Sequence, residues 1–261
     1  MSQSTIIFRS DGPVLNVINN NPGSKNSLST GFIDGFIELL ENIEPSLDKG
    51  RVIILSGAEG FFCSGGNLDG LKKRSESAYD ERRSTVDKIN KMILLMRACP
   101  LPIIAAVEGG AAGAGVGLAL ACDMIYAAEE AFFMAAYVKI GITPDGGMTP
   151  FMAEAIPRWL FAQMVFTGDK MPVNRLYDLG VVNEVTPKGK AVSAATKMAE
   201  RLANGPAQAL AMGKALIGSA RLSPLGAQLE EEAHIVATAL GSADAREGIT
   251  AFLEKRAPKF S

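Results

Sequence analysis

The chain opens on two short apolar segments, residues 5–8 and 14–18, separated by the turn signal Ser10-Asp11-Gly12-Pro13; the pattern predicts two strands. Asn19-Asn20-Asn21-Pro22-Gly23 then breaks the alternation. Beyond it the period lengthens. Phe32, Ile33, Phe36, Ile37, Leu40 and Ile43 recur at helical spacing, so a helix lays one face on the core, with Ser29 placed to cap it. Residues 51–55 (RVIIL) and 103–107 (IIAAV) are continuous apolar runs of strand length and read as buried strands. Between them, residues 69–98 carry the densest charge, the mark of a solvated face, while Val86, Ile89, Met92, Ile93 and Met96 keep helical spacing beneath it. An apolar helical run covers 116–122, residues 123–128 read as another strand, and Phe132 and Phe133 begin a short extended piece. Residues 156–223 form helices punctuated by Gly168, Pro172, Gly180, Pro187, Gly205 and Pro206, with one short strand at 181–185. The last helices fall near 206–240 and 244–254. Met148, Met152, Met164 and Trp159 read as packing residues. No linker, low-complexity segment or internal repeat interrupts the chain.

The stretch that organises the rest is residues 102–123, PIIAAVEGGAAGAGVGLALACD. A buried strand feeds a turn built from glycine and alanine, which feeds a helix. Such a turn leaves backbone N–H groups free at the helix start, where the dipole favours a negative oxygen, and its small side chains let a ligand reach the backbone. The dinucleotide-binding fingerprint is not matched, because the spacing within Gly113-Ala114-Gly115-Val116-Gly117 differs and no acidic residue follows on a next strand; the lysine of a phosphate-binding P-loop is also missing. The bland alternative is close helix–strand packing. A second glycine-rich turn, residues 61–68 (FFCSGGNL), also follows a strand, through Ser56-Gly57. Two such turns could aim two backbone N–H groups at one oxygen, which is the geometry of an oxyanion hole.

Composition narrows the classes. With 261 residues, 48% hydrophobic and 21% charged, the chain has room for a full core. A net charge of −2 gives no general attraction to nucleic acid or to an acidic membrane. No apolar run approaches bilayer length and the first residues lack a signal peptide's apolar region, so the cytoplasm is the expected compartment. Cys63, Cys99 and Cys122 form no C-x-x-C pair, so neither a disulfide framework nor a zinc site is expected, and one histidine excludes a multi-histidine metal centre within one chain.

An ordered set of segments, running nearly end to end, resembles the crotonase superfamily, also called the enoyl-CoA hydratase/isomerase family. The matching residues are Asn21-Pro22 with Lys25-Asn26-Ser27-Leu28, Phe62-Cys63-Ser64-Gly65-Gly66, residues 102–109, Ala121-Cys122-Asp123, Gly141 with Pro144, Thr167-Gly168, residues 179–183, Arg246-Glu247-Gly248-Ile249 and residues 251–256. The resemblance implies an α/β fold: a crotonase-like spiral of ββα units over residues 1–200, then a C-terminal helical region, 201–261, through which subunits assemble as trimers or hexamers. It implies an acyl-CoA substrate, no tightly bound cofactor other than the coenzyme A of that substrate, no metal, and no nucleic-acid or membrane partner.

Carried over residue by residue, the resemblance implies that the N–H groups of Gly66 and Ala114 hold the thioester oxygen. It implies that Lys25, Ser27, Ser64, Gly66, Leu68, Phe252 and Lys255 border coenzyme A, with the last two reaching a site that can belong to a neighbouring subunit. Lys72, Lys73 and Arg74 are within reach of its phosphates. Asn67 stands where the family usually has aspartate, and a structural hydrogen-bonding role is expected for it. The family's two hydratase glutamates fall at Gly117 and Tyr137 and are absent. Glycine moves no proton, and tyrosine, with a reference pKa near 10, is a poor base at neutral pH. Asp145 remains, either as a cap or turn former or as the single base that shuttles a proton between two carbons. Tyr137 either donates a hydrogen bond at the site or lines the pocket. His234 reads as a packing or surface residue. Three functions follow: an enoyl-CoA isomerase using Asp145; a hydratase or acyl-CoA hydrolase with a non-standard water-activating group; or a non-catalytic acyl-CoA-binding relative.

Overall fold

The computed structural model describes residues 4–43 and 50–260. Strand β1 (Ile6–Asp11) pairs antiparallel with β2 (Val14–Asn19) across a two-residue turn, Gly12-Pro13. The turn is shorter than the sequence signal suggests, so β1 runs on to Asp11. From β2 onward the sheet is parallel: β3 (Val52–Gly57), β4 (Ile103–Val107), β6 (Met124–Ala128) and β9 (Glu184–Thr186) add in turn, giving the order β1-β2-β3-β4-β6-β9. The strand numbered β5 in chain order (Gly110–Ala112) leaves this sheet. It pairs with β7 (Phe132–Met134), which in turn pairs antiparallel with β8 (Lys170–Pro172).

Burial on both faces explains the unbroken apolar runs of β3 and β4. Side chains alternate between two layers. Leu15, Val17, Ile53, Leu55, Ile103 and Ala105 face Phe32 and Phe36 of α1 (Thr30–Glu41) together with Met92 and Met96 of α3 (Tyr79–Ala98). Val14, Val52, Ile54, Ile104, Ala106 and Tyr126 face the other way, against Ala191, Ala195, Ala199 and Ala203 of α8 (Ala191–Ala203). Those alanines repeat every fourth residue and form one stripe, which seats α8 directly on the sheet. The Glu108 carboxylate fixes its start by accepting the Gly189 and Ala191 N–H groups at 2.9 and 2.8 Å.

Each repeat of the spiral is a strand of the large sheet, a short strand of the small one, then a helix: β4, β5 and α4 (Ala114–Leu120), then β6, β7 and, after one 3₁₀ turn at Ala136–Ile140, α5 (Met148–Ala155). The charged stretch folds as α2 (Leu68–Ser75) and α3; Ser29 and Asn67 cap α1 and α2 through their side chains. Further along lie α6 (Arg158–Thr167), α7 (Val173–Asp178), α9 (Ala207–Ser219), α10 (Leu225–Leu240) and α11 (Ala243–Leu253). The helical stretch expected over 206–240 is divided, because Pro224 cannot continue the helix that ends near Ala220. Lys214 ties α9 to the core. Its buried ammonium pairs with Asp123 at 2.8 Å and donates to the Leu101 carbonyl at 2.8 Å. Trp159, expected to pack, is 78% exposed on α6, with the Arg158 guanidinium over its ring; Met148, Met152 and Met164 are buried. His234 is exposed on α10. No helix among the described residues is long and apolar enough to cross a membrane.

Candidate active site

Three backbone segments converge on the start of α4. The turn after β3 is fastened to the segment after β4: the Phe62 N–H donates to the Glu108 carbonyl (2.9 Å), Cys63 N–H to Gly110 O (3.3 Å) and Ala112 N–H to Cys63 O (2.9 Å). The two glycine-rich turns therefore run side by side. Their closest approach is at Gly65, where φ is +84° and an added Cβ would lie 2.6 Å from Ala112 O and 3.0 Å from the Ala114 nitrogen. No side chain fits there, so the turns meet backbone to backbone. Gly113, with φ +52° and ψ −132°, then swings the chain into α4 two residues earlier than the apolar run suggests. The N–H groups of Gly66 and Ala114 have no acceptor among the described residues. Both are available to a ligand oxygen, and Leu71 of α2 packs over Gly66.

Asp145 arrives on the third segment. Gly146 and Gly147 follow it at φ +60° and +79°, and an added Cβ on Gly146 would touch Ala114 Cβ at 3.6 Å, so the loop rests on the first turn of α4. The Asp145 side chain does not cap α5; Gly147 occupies the cap position with no side-chain bond. Instead, the Tyr137 hydroxyl donates to Asp145 Oδ1 at 2.8 Å and also lies 3.4 Å from the Asp145 carbonyl oxygen. Tyr137 is buried, and its ring stands against Gly113.

Burial pushes the Asp145 carboxyl above the usual aspartate range, against the lowering effects of the Tyr137 hydrogen bond and of the Arg74 charge. Burial also pushes the Tyr137 phenol up, and the Asp145 charge and hydrogen bond push it further. The proton between them therefore stays on Tyr137. Tyr137 is a donor, and Asp145 is the carboxylate at this site able to accept a proton. Arg74, considered above for phosphate contact, is half-buried on α2, and its charge acts on Asp145.

The other residues singled out from the sequence fall in two places. Lys25 is exposed at the end of the 22–24 turn, in left-handed conformation, with its ammonium 5.6 Å from the Phe61 ring centre. Ser27 is buried, its hydroxyl 2.7 Å from Ser24 Oγ, and the Ser64 hydroxyl donates to the Ser24 carbonyl at 2.9 Å. These two side chains hold the loop before α1 against the first glycine-rich turn. Asn26 does more of that work. Fully buried at φ +53°, it accepts the Asn21 N–H (2.9 Å) and donates to the carbonyls of Ala58 (2.8 Å) and Phe61 (2.5 Å). Its role was not read from the sequence; the available signal was asparagine's tolerance of left-handed backbone in a turn. Leu68 is exposed at the start of α2. Phe252 and Lys255 are exposed at the end of α11, where Arg256 and Glu247 pair at 2.6 and 3.0 Å; they belong to the C-terminal helices rather than to this cluster.

A family model described as enoyl-CoA hydratase/isomerase matches residues 10–261. A Rhodobacter capsulatus protein named "Probable enoyl-CoA hydratase" is 35% identical over 227 residues, 86% of each chain. The "1,2-epoxyphenylacetyl-CoA isomerase" of Escherichia coli is 31% identical over 249 residues, 95% of each. A solved enoyl-CoA hydratase structure from a Polaromonas species superposes with a TM-score of 0.95 at 37% identity, covering 98% of this chain and 99% of that one.

Proposed function

Because the chain belongs to the enoyl-CoA hydratase/isomerase family, we propose that it is an isomerase that moves a double bond in an enoyl-CoA, with Asp145 as the proton shuttle. The Asp145 carboxylate takes a proton from the carbon beside the thioester of a 3-enoyl-CoA. The electron pair moves onto the thioester oxygen, and the resulting dienolate is held by the N–H groups of Gly66 and Ala114. Donors of this kind contribute about 2.7–4 kcal/mol each to lowering the barrier. The protonated Asp145 then returns its proton to the far carbon of the dienolate, giving a 2-enoyl-CoA and restoring the carboxylate. Tyr137 donates to Asp145 throughout and orients it. A carboxylate with a raised pKa is the stronger base once ionised, which suits proton removal from carbon.

One observation carries this reading: a half-buried carboxylate, held by a tyrosine hydroxyl, sits on a loop packed against Ala114, while the two positions of the family's hydratase glutamates are Gly117 and Tyr137. One base is enough for isomerisation, whereas hydration also requires a managed water. A relative named as an isomerase, similar over 95% of the chain, supports the same direction. The names of other relatives favour hydration, for which another group would have to activate water. Lys25, Ser27, Ser64, Leu68, Phe252 and Lys255 form the proposed coenzyme A border. Trimeric or hexameric assembly and a cytoplasmic location complete the proposal.

Asp145→Asn tests it. Asparagine keeps size and turn-forming capacity but cannot take the proton. The variant should bind the CoA thioester and lose exchange of solvent deuterium into 3-enoyl-CoA and 2-enoyl-CoA. Wild-type exchange by a folded Asp145→Asn protein rules Asp145 out as the base. Hydration of crotonyl-CoA at a rate exceeding isomerisation would favour the hydratase reading.

A further inference from the structure

Gly117 lies in the middle of α4 with its missing side chain directed at the Asp145 loop. A Cβ added there would overlap the Gly146 carbonyl oxygen, lie 2.8 Å from the Gly146 carbon and 3.3 Å from the Met148 nitrogen. All three are backbone atoms, which cannot turn aside as a flexible side chain can. The loop is thus seated in the volume that any side chain at 117 would need. On its other side it is fastened by Tyr137, through the bond to Asp145 Oδ1. Gly146 in turn presses on Ala114, the residue that supplies one of the two free N–H groups.

From this packing we infer that Gly117 is a positioning residue: its lack of a side chain sets the depth to which the 144–147 loop seats on α4, and so the reach of the Asp145 carboxylate into the acyl site. The inference rests on the reading of Asp145 as the base. It also gives the glycine at 117 a role of its own. The position has not merely lost a carboxylate; the freed volume is what brings a different carboxylate, from another loop, to the same reaction centre.

Gly117→Ala tests the inference. Ordinary van der Waals contact begins at 3.4 Å, so the loop must withdraw by about 1 Å, a misplacement that costs roughly 100-fold in rate. Solvent-deuterium exchange into 3-enoyl-CoA should fall by about that factor, while butyryl-CoA binding by calorimetry stays at wild-type strength. Gly115→Ala makes the same change two residues earlier but pushes on Cys63, next to the Gly66 turn. It should weaken butyryl-CoA binding instead. Asp145→Glu supplies the compensating change, one further C–C bond of about 1.5 Å. Gly117→Ala/Asp145→Glu should therefore exchange at least about tenfold faster than Gly117→Ala. A folded Gly117→Ala protein with wild-type exchange, or a double variant no faster than Gly117→Ala, overturns the inference. If Gly117→Ala does not fold, Asp145→Glu alone decides. With the loop seated by Gly117, the longer side chain overshoots and exchange drops; unchanged exchange overturns the inference. Activity in Asp145→Asn would instead overturn the proposed function, and is read separately from all of these.

Discussion

Tyr137→Phe removes a single oxygen atom from the site, and its consequences can be worked out with their signs. The buried Tyr137 hydroxyl donates to Oδ1 of the half-buried Asp145 at 2.8 Å. A hydrogen bond to a charged acceptor contributes about 1.5–3 kcal/mol, and 1.36 kcal/mol corresponds to one pH unit of titration. Burial already raises the Asp145 carboxyl, and the Tyr137 bond opposes it together with the Arg74 charge. Without the bond, ionisation of Asp145 should require a higher pH. Isomerisation by the proposed route needs the carboxylate, so the acid limb of the rate profile should move to higher pH. Activity should then fall much more in mildly acidic buffer than in alkaline buffer.

Stability carries the same sign. A carboxyl raised in the folded state favours folding in its protonated form, so its ionisation at neutral pH works against the fold. Tyr137→Phe enlarges that opposition. It should cost more stability at pH 7 than below the ordinary carboxylate range, where Asp145 is protonated in both states. The assay is the rate of solvent-deuterium exchange into 3-enoyl-CoA against pH, beside urea melts at neutral and acid pH. An acid limb that stays in place, or moves to lower pH, refutes the argument that Tyr137 stabilises the charged form of Asp145.

Asp145→Asn should melt at or above the wild-type temperature at neutral pH, since it removes a charge whose burial opposes folding; a clearly lower melting temperature would contradict the raised carboxyl pKa. Asn26→Ala should lower the unfolding free energy by about 2 kcal/mol or more, read by urea denaturation, because it removes the partner of the half-buried Asn21 N–H and Phe61 carbonyl and one of the two donors to the Ala58 carbonyl, and puts alanine at φ +53°. Light scattering should give three or six times the 27.5 kDa of one chain. Ile217, Leu222, Leu225, Phe252 and Leu253 of the C-terminal helical region are between 73% and 88% exposed in the single chain, large apolar side chains that assembly would cover, and a monomer at micromolar concentration would refute this.

Where a residue's neighbours were implied by periodicity, the fold was legible. β3 and β4 could be read because strands covered on both faces must be apolar throughout, and α1 because its five buried side chains follow the helical repeat. Of the small sheet only β7 was legible, as the extended piece begun by Phe132 and Phe133. Gly110-Ala111-Ala112 has no side-chain pattern to reveal a strand; it is one because its backbone pairs with Phe132-Phe133-Met134 and with Cys63. Trp159 misled because a large aromatic side chain is normally buried, whereas here it is left 78% exposed with the Arg158 guanidinium over its ring.

The site divides in the same way. The two glycine-rich turns were readable as segments after buried strands, since free backbone donors need only a backbone that can approach. The Tyr137–Asp145 bond was not readable, because the pair lies eight positions apart across the left-handed Gly141, and no periodic rule brings them together. Glycine is the hardest residue to interpret, since its type alone says only that a side chain is absent. Gly65 is glycine because of a positive φ and a backbone in contact; Gly117 sits in an ordinary helix and is glycine because of the Gly146 carbonyl. Only the neighbour distinguishes a position that has lost its catalytic group from one that makes room for another. With Asp145 as the proposed base, the glycine at 117 and the aspartate at 145 are two views of one packing arrangement.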